Sequence, residues 1–447
     1  MKNPLGYEKI PKLLKQFAIP SIIAMLVSSL YNIVDQIFIG HGVGYLGNAA
    51  TNVAYPLTTI CLAIALLIGI GSASRYSIYL GQKEEERAAK VVGNGVCMMF
   101  TFGIAYAVII EVFLHPMLNA FGATPDVLPY AISYTRITAI GMPLMIVTNA
   151  MSNLARGDGS PKYSMTSMII GAVINTILDP IFIFVFKMGV AGAAIATVAG
   201  QFCSFIYALR YLKKFKCVTL KKEYFRLNLK ESLTTASLGI SNSMNQVAIT
   251  LVQIVMNNSL THYGELSVYG SDIPLAANGI VMKVNGILFA FIIGLSQGMQ
   301  PIIGFNYGAK QYDRVRGTYK LAVCCSLALT SIGFIMFQCF PRQLLSVFGS
   351  GDALYYEFAI RFMRIFLFMV MANGVQVLSS NLFSAIGQPL KGLFLSMTRQ
   401  VLFLIPLILT LPIFWGINGV LFAAPIADTM AIIVTTIFVL KELKKMN

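Results

Sequence analysis

A chain of 447 residues that is 57% hydrophobic and 11% charged, with a mean hydropathy of +0.73, carries too few charges to cover a soluble surface, because ordinary soluble domains hold roughly 25% charged residues. The composition excludes a soluble enzyme or binding domain and describes an all-α, polytopic membrane protein. The net charge of +15 is not a nucleic-acid footprint: the basic residues fall in short connections on alternate sides of the apolar runs, the positive-inside pattern, and no nucleic-acid partner is expected. All of the seven cysteines but Cys217 lie within apolar runs and none forms a CxxC pair, so no metal site, disulfide framework or cofactor is expected.

The first apolar run, Phe17 to Ile39, is long enough to cross a bilayer at about 1.5 Å per residue. It is too long for a signal-peptide core and has no small-residue cleavage site after it. Ser21, Met25, Ser28, Asn32 and Asp35 recur along it at steps of four, three, four and three, and so share one helix face. An aspartate deep in a membrane helix costs roughly 2.5–3.5 kcal/mol on insertion scales, which makes Asp35 a candidate functional acid. The plainer alternative is a structural aspartate bonded to a neighbouring helix. Tyr31 and Asn32, with Tyr55 of the second run, are expected to line a substrate cavity.

Twelve spans are read along the chain, near 14–39, 52–79, 90–114, 127–152, 162–187, 190–212, 233–261, 275–303, 317–340, 354–380, 391–414 and 419–440. Lys2, Lys9, Lys12 and Lys15 precede the first, Lys83, Arg87 and Lys90 follow the second, and Lys441, Lys444 and Lys445 close the chain. The opposite side holds little beyond Lys187 and Arg342. Both termini are therefore expected in the cytoplasm, in a multi-pass protein of the cell membrane.

In the fifth span Asn175 and Asp179 are four apart and face the same way, and Pro180 removes a helix hydrogen bond there. Locally, Asp179 can equally be the N-cap of a helix restarted by Pro180. Thr197 and Gln201 of the sixth span, again four apart, complete a polar cluster. With Asp35 this would bring two buried acids together, an arrangement able to take up a proton (H⁺) or, with the Asn and Thr oxygens, a small cation such as Na⁺.

The basic linker around Lys213–Lys222 divides the chain into halves that resemble each other. Asn153-Leu154 and Gly159-Ser160-Pro161 reappear as Asn381-Leu382 and Gly387-Gln388-Pro389; Gly189-Val190-Ala191-Gly192 as Gly416-Ile417-Asn418-Gly419; Leu80-Gly81-Gln82-Lys83 as Tyr307-Gly308-Ala309-Lys310; Phe121-Gly122 as Phe348-Gly349; and Arg136 as Arg364, all at offsets of 227 or 228. Six spans per half set both halves the same way up, which predicts parallel repeats about an axis along the membrane normal with the binding site between them. The expected lobes are 1–220 and 221–447. At an offset of 221 the first helices of the halves also align, so that Asn242, Gln246, Gln253 and Asn257 of the seventh span form a polar face, with Met256 where the first half has Asp35. Amides of this kind bond helix to helix at roughly 0.6 kcal/mol each, but four on one face favour a wet cavity, to which Met256 and Met282 add adaptable lining. Lys283 in span eight needs a partner, and Asp428 of span twelve is the candidate for a structural or gating ion pair. Arg75 and Arg399 are expected to snorkel toward an interface or cap helix ends.

These features together resemble the multidrug and toxic compound extrusion (MATE) transporters, over essentially the whole chain. The resemblance is carried by the twelve spans in two parallel halves, Tyr31-Asn32-Ile33-Val34-Asp35, Asn175-x-x-x-Asp179-Pro180, Thr197, and Gly294-Leu295-Ser296-Gln297-Gly298-Met299-Gln300-Pro301. It implies export of cationic or amphipathic organic compounds by antiport, with Asp35 and Asp179 linked to protonation and Asn175 and Thr197 in their hydrogen-bond network. Members associated with sodium use acids in spans seven and ten; here span seven offers amides and span ten only Asn373 and Gln376. A monomer in contact with small organic substrates and membrane lipids is expected. A flippase of lipid-linked saccharides is the alternative, and would need cationic residues facing the cavity; those inside the spans are Lys283, Arg75, Arg136, Arg361, Arg364 and Arg399, most of them near span ends. A membrane-embedded enzyme would need a nucleophile–base pair or metal ligands at membrane depth. No HExxH occurs, and Gly294–Gly298 matches G-x-S-x-G only as the close of an apolar helix.

Overall fold

The computed structural model describes residues 3–347 and 353–446. Lys2 and the Phe348-Gly349 match lie outside the described residues. Every regular element among the described residues is helical. In the first half these are α1 (Ile10–Gly42), α2 (Tyr45–Gly81), α3 (Glu85–Val112), the short α4 (Leu114–Ala120), α5 (Leu128–Gly157), α6 (Pro161–Pro180) and α7 (Gly189–Arg210). The second half holds α8 (Leu229–Glu265), α9 (Asp272–Gly308), α10 (Tyr312–Cys339), the short α11 (Pro341–Ser346), α12 (Ala353–Phe366), α13 (Val370–Ala385), α14 (Pro389–Met397), α15 (Ile405–Trp415) and α16 (Ile417–Lys445).

Ten of these helices, counted with their continuations, are long and apolar enough to cross a membrane, and α12 with α13 forms an eleventh span bent by 47°. The twelfth, α8, is 37 residues long but studded with Ser, Thr, Asn and Gln, so it lacks the apolarity of the others. The twelve spans form two sets of six. The repeat is legible in the backbone: Gly159 and Gly387 turn with φ of 80° and 78°, and Gly189 and Gly416 with 58° and 57°. These left-handed conformations suit glycine, which is why the sequence matches survive at the turns. Lys83 and Lys310 share the same unusual sign, and the short helices α4 and α11, which the apolar runs did not announce, begin at equivalent places.

One proline loosens the fifth span of each half. Past Pro180 the helix widens into a π turn over Ile181–Val185, where Phe186 N donates to Ile181 O, five residues back, at 3.0 Å. Before Pro406 a π segment over Thr398–Leu404 joins α14 to α15. A proline has no N–H to give, and the ladder slips by one residue beside it.

The halves meet through α1 against α9 and α2 against α8 and α9. Glycines allow the approach. A Cβ on Gly71 would lie 1.9 Å from Thr235 O of α8, one on Gly239 would lie 1.9 Å from Leu67 O of α2, and one on Gly308 would lie 2.2 Å from Ile78 O. All lie toward the end of the bundle that carries the turns at Lys83 and Lys310. There Arg75 pairs with Glu231 at 2.9 Å and Gln300 Nε2 donates to Ser74 Oγ at 2.7 Å. Arg75, expected to snorkel, is instead a cross-half contact, its guanidinium 5.1 Å from the Tyr79 ring centre.

The linker between the halves is fastened. Asp158, buried just past α5, accepts from Tyr76 Oη (2.5 Å), Tyr211 Oη (2.7 Å), Lys216 N (2.7 Å) and Cys217 N (3.1 Å). Asn94 Oδ1 takes Asn228 N at 2.9 Å at the other end. Burial and the adjacent Asp158 carboxylate push the Cys217 thiol up to about 12, which keeps it un-ionised and inert.

Candidate functional site

A cavity of about 560 Å³ lies between the halves, on the far side of the glycine contacts. Its wall comes mostly from α1, α2, α5, α6 and α7, with a narrower strip from α8 and α9. Tyr31, Asn32, Asp35, Tyr55, Asn175, Thr197 and Gln201 all border it.

The four residues assigned to ion coupling come together. Asn175 donates through Nδ2 to Asp179 Oδ1 and to Thr197 Oγ1, both at 3.2 Å. Asp179 is fully buried and Asn175 nearly so. The helix runs on through Pro180, so Asp179 caps nothing. The carboxyl groups of Asp35 and Asp179 adjoin each other. Asp35 Oδ1, Asp179 Oδ2 and Asn175 Oδ1 are buried and take no donor among the described residues. Buried acceptors left without a donor cost roughly 1–3 kcal/mol each. Two carboxylates cannot bond to each other without something positive between them, so the cluster is a place for a proton or a small cation. Tyr134 of α5, also lining the cavity, stands near both acids. Reasoning from sequence missed it, although Tyr134, Thr138, Met142, Met145 and Asn149 recur at steps of four, four, three and four and all border the cavity.

On the second half the expected face is only partly used. Gln246 and Gln253, two turns apart, border the cavity. Asn242 lies one turn from Gly239, where α8 has already closed on α2, and donates to Asn381 Oδ1 at 3.0 Å. Asn257 accepts from Asn278 Nδ2 at 2.8 Å. These two amides bond helix to helix rather than line a cavity. Met256, about 60° around the helix from Gln253 at 3.6 residues per turn, is buried in the second-half core, and Met282 packs against that core.

The expected pairing of Lys283 with Asp428 is not formed. Asp428 is buried against Arg399, whose Nε lies 2.5 Å from Oδ1, and accepts from Asn373 Nδ2 at 3.0 Å. Arg399 sits in the π segment beside α16, so it reaches inward to the acid instead of snorkelling. Lys283 stands on the other face of α9 and borders the cavity.

The MatE family model matches residues 20–181 and 241–410. The chain is 27% identical over 379 residues to a probable multidrug resistance protein, YoeA, of Bacillus subtilis, covering 82% of this chain and 79% of that one. It is 23% identical over 428 residues to the multidrug export protein MepA of Staphylococcus saprophyticus, covering 95% and 92%. Among solved structures, an outward-facing multidrug resistance MATE family transporter of the MOP superfamily superposes with a TM-score of 0.92 at 21% identity, over 99% of this chain and 98% of that one.

Proposed function

The chain belongs to the MatE family, and from that premise we propose that it is a multidrug efflux transporter of the cell membrane, exporting amphipathic organic compounds by exchange with an inward cation, H⁺ in the first place. The observation that carries this reading is the oxygen cluster of Asp35, Asp179 and Asn175 at the cavity wall, with three buried acceptors and no donor for them among the described residues. The names of the relatives, multidrug export and multidrug resistance proteins, support the substrate class.

The two halves, 1–220 and 221–447, act as lobes around the cavity in a monomer with both termini in the cytoplasm. The end joined by the glycine contacts carries the basic turns, so by the positive-inside rule it faces the cytoplasm, and the cavity opens outward in this state. Exchange requires that ion and organic substrate favour different states of the carrier, because equal affinity for both states shifts nothing. Occupation of the Asp35–Asp179 site removes the negative charge that a cationic substrate would meet, and this makes the two binding events antagonistic.

The flippase alternative lacks its cationic cluster. Arg75, Arg136 and Arg399 are ion-paired to Glu231, Glu111 and Asp428, and Lys283 alone of the six cations borders the cavity. The deciding experiment is efflux of ethidium from proteoliposomes, wild type beside Asp35→Asn, with a pH gradient and a Na⁺ gradient imposed separately. Transport driven by the pH gradient and abolished in the variant is the expected result. Transport driven only by Na⁺ would replace the coupling ion, and undiminished efflux by Asp35→Asn would remove the site.

A further inference from the structure

The charges bordering the cavity come from helices of different halves. The α1 wall supplies Asp35, the α9 wall supplies Lys283, and no other Asp, Glu, Lys or Arg among the described residues borders it. Lys283 has neither an ion-pair nor a hydrogen-bond partner among the described residues, the acid assigned to it being taken by Arg399. An unpaired ammonium at membrane depth is costly and is tolerated only in a wet cavity, where it marks a site. Gln246 and Gln253 line the same side with amide donors and no acid between them.

Two glycines fix the level of the lysine. A Cβ on Gly294 would lie 2.5 Å from Ile22 Cα, and one on Gly298 would lie 2.6 Å from Ala18 Cα, so α9 and α1 run antiparallel in a tight register. Lys283 is eleven residues before Gly294, and Ile33 is eleven after Ile22. Continued along both helices, that register sets Lys283 level with Ile33, and Asp35 is two residues further, about 3 Å of helix rise. At that level the helices have parted: a Cβ on Gly286 or Gly279 would meet nothing within 4 Å. An open cleft therefore has a carboxylate on one wall and an ammonium on the other at nearly the same depth.

From this geometry we propose that Lys283 is an anion-binding subsite of the cavity, so that among exported compounds amphipathic zwitterions are held more tightly than simple cations, an anionic group, a carboxylate or phosphate, resting on Lys283 while the cationic end faces Asp35. The proposal rests on the export reading above and narrows its substrate class. Once the coupling ion has neutralised Asp35, Lys283 is the charge that remains at the cavity wall. A simple organic cation is then repelled outright, whereas a zwitterion keeps one of its two contacts.

A matched pair of dyes tests this. Rhodamine 110 carries a free carboxylate, and rhodamine 123 is its methyl ester with the same cationic ring system. Binding of each to the full-length protein in lipid nanodiscs is read by fluorescence anisotropy, for wild type, Lys283→Met and Lys283→Arg. Wild type is expected to bind the acid more tightly than the ester by roughly tenfold, the size of one ion pair in a partly wet site. Lys283→Met should bring the ratio to about one, and Lys283→Arg should restore most of it, since a bidentate cation still serves a carboxylate. Wild type binding the ester as well as the acid would overturn the proposal without recourse to any variant. So would a Lys283→Met protein that keeps the preference, or one that tightens on both dyes equally, which would mean that the lysine serves Asp35 and not a ligand. If neither dye binds and ethidium is not transported, it is the export reading that fails.

Discussion

Asp179 is fully buried behind Asn175, whereas Asp35 borders the cavity, and the two acids should fail in different ways when neutralised. Asp35→Asn removes a charge that a cationic substrate meets directly, so both ethidium affinity and gradient-driven efflux should fall, the affinity by roughly three- to tenfold for one charge in a half-wet site. Asp179→Asn should abolish gradient-driven efflux to the same degree while weakening ethidium less. Titration of ethidium into each purified variant, beside the vesicle assay, separates the roles; equal losses of affinity would mean that substrate reaches Asp179 directly. The polar cluster was legible in the sequence because polar residues at helical spacing are conspicuous inside apolar runs, and Asp35, Asn175, Asp179 and Thr197 all obeyed that rule. The pairing of Asp428 was not. Period and polarity place a side chain on a face, but which neighbouring helix that face meets depends on packing, and Arg399 lay closer to Asp428.

The two halves use the same places differently. By the 227-residue offset that matches Gly189 with Gly416, Asp428 stands where the first half has Gln201; by the 228-residue offset that matches Pro161 with Pro389, Arg399 stands where it has Gly171. Gly171 and Gln201 border the cavity, while their counterparts close on each other as a buried ion pair. That substitution is one physical reason why the cavity wall is drawn mainly from the first half. It also sets a stability prediction. Asp428→Ala leaves the Arg399 guanidinium buried without its counter-charge, a change that costs about 3–5 kcal/mol, and should lower the thermal midpoint of the detergent-solubilised protein by several degrees. Replacing both residues by leucine should recover much of the loss, because it removes the uncompensated charge and keeps the volume. A double variant no more stable than Asp428→Ala would assign the pair a role beyond mutual neutralisation. The π segment that carries Arg399 was hidden in an apolar run read as one helix from 391 to 414; a single residue of ladder slippage leaves the apolar pattern intact, so composition does not reveal it.

For the molecule as a whole, the repeat was readable at its turns, where left-handed backbone demands glycine, but the side on which the halves close was not. Closure depends on glycines of one half meeting backbone of the other, as Gly71 meets Thr235 O and Gly239 meets Leu67 O, and nothing in the sequence distinguishes those glycines from others in the same helices. If alternating access proceeds by separating the halves at this seam, a side chain wedged into it should bias the carrier toward the state open at that end. Gly239→Leu introduces four carbons where even a Cβ would sit 1.9 Å from a backbone oxygen, and backbone on both sides leaves no flexible side chain to yield. Spin labels at Lys83→Cys and Lys310→Cys, made in a background with the seven native cysteines replaced, straddle the seam at the ends of α2 and α9. Their distance distribution, measured by pulsed electron resonance, should be short and narrow in wild type and gain a longer component in Gly239→Leu. Ethidium efflux should fall with it, since a carrier held open at one end cannot complete the exchange. A well-folded Gly239→Leu protein with unchanged distances and unchanged efflux would mean that the seam moves as a unit and that the halves part elsewhere.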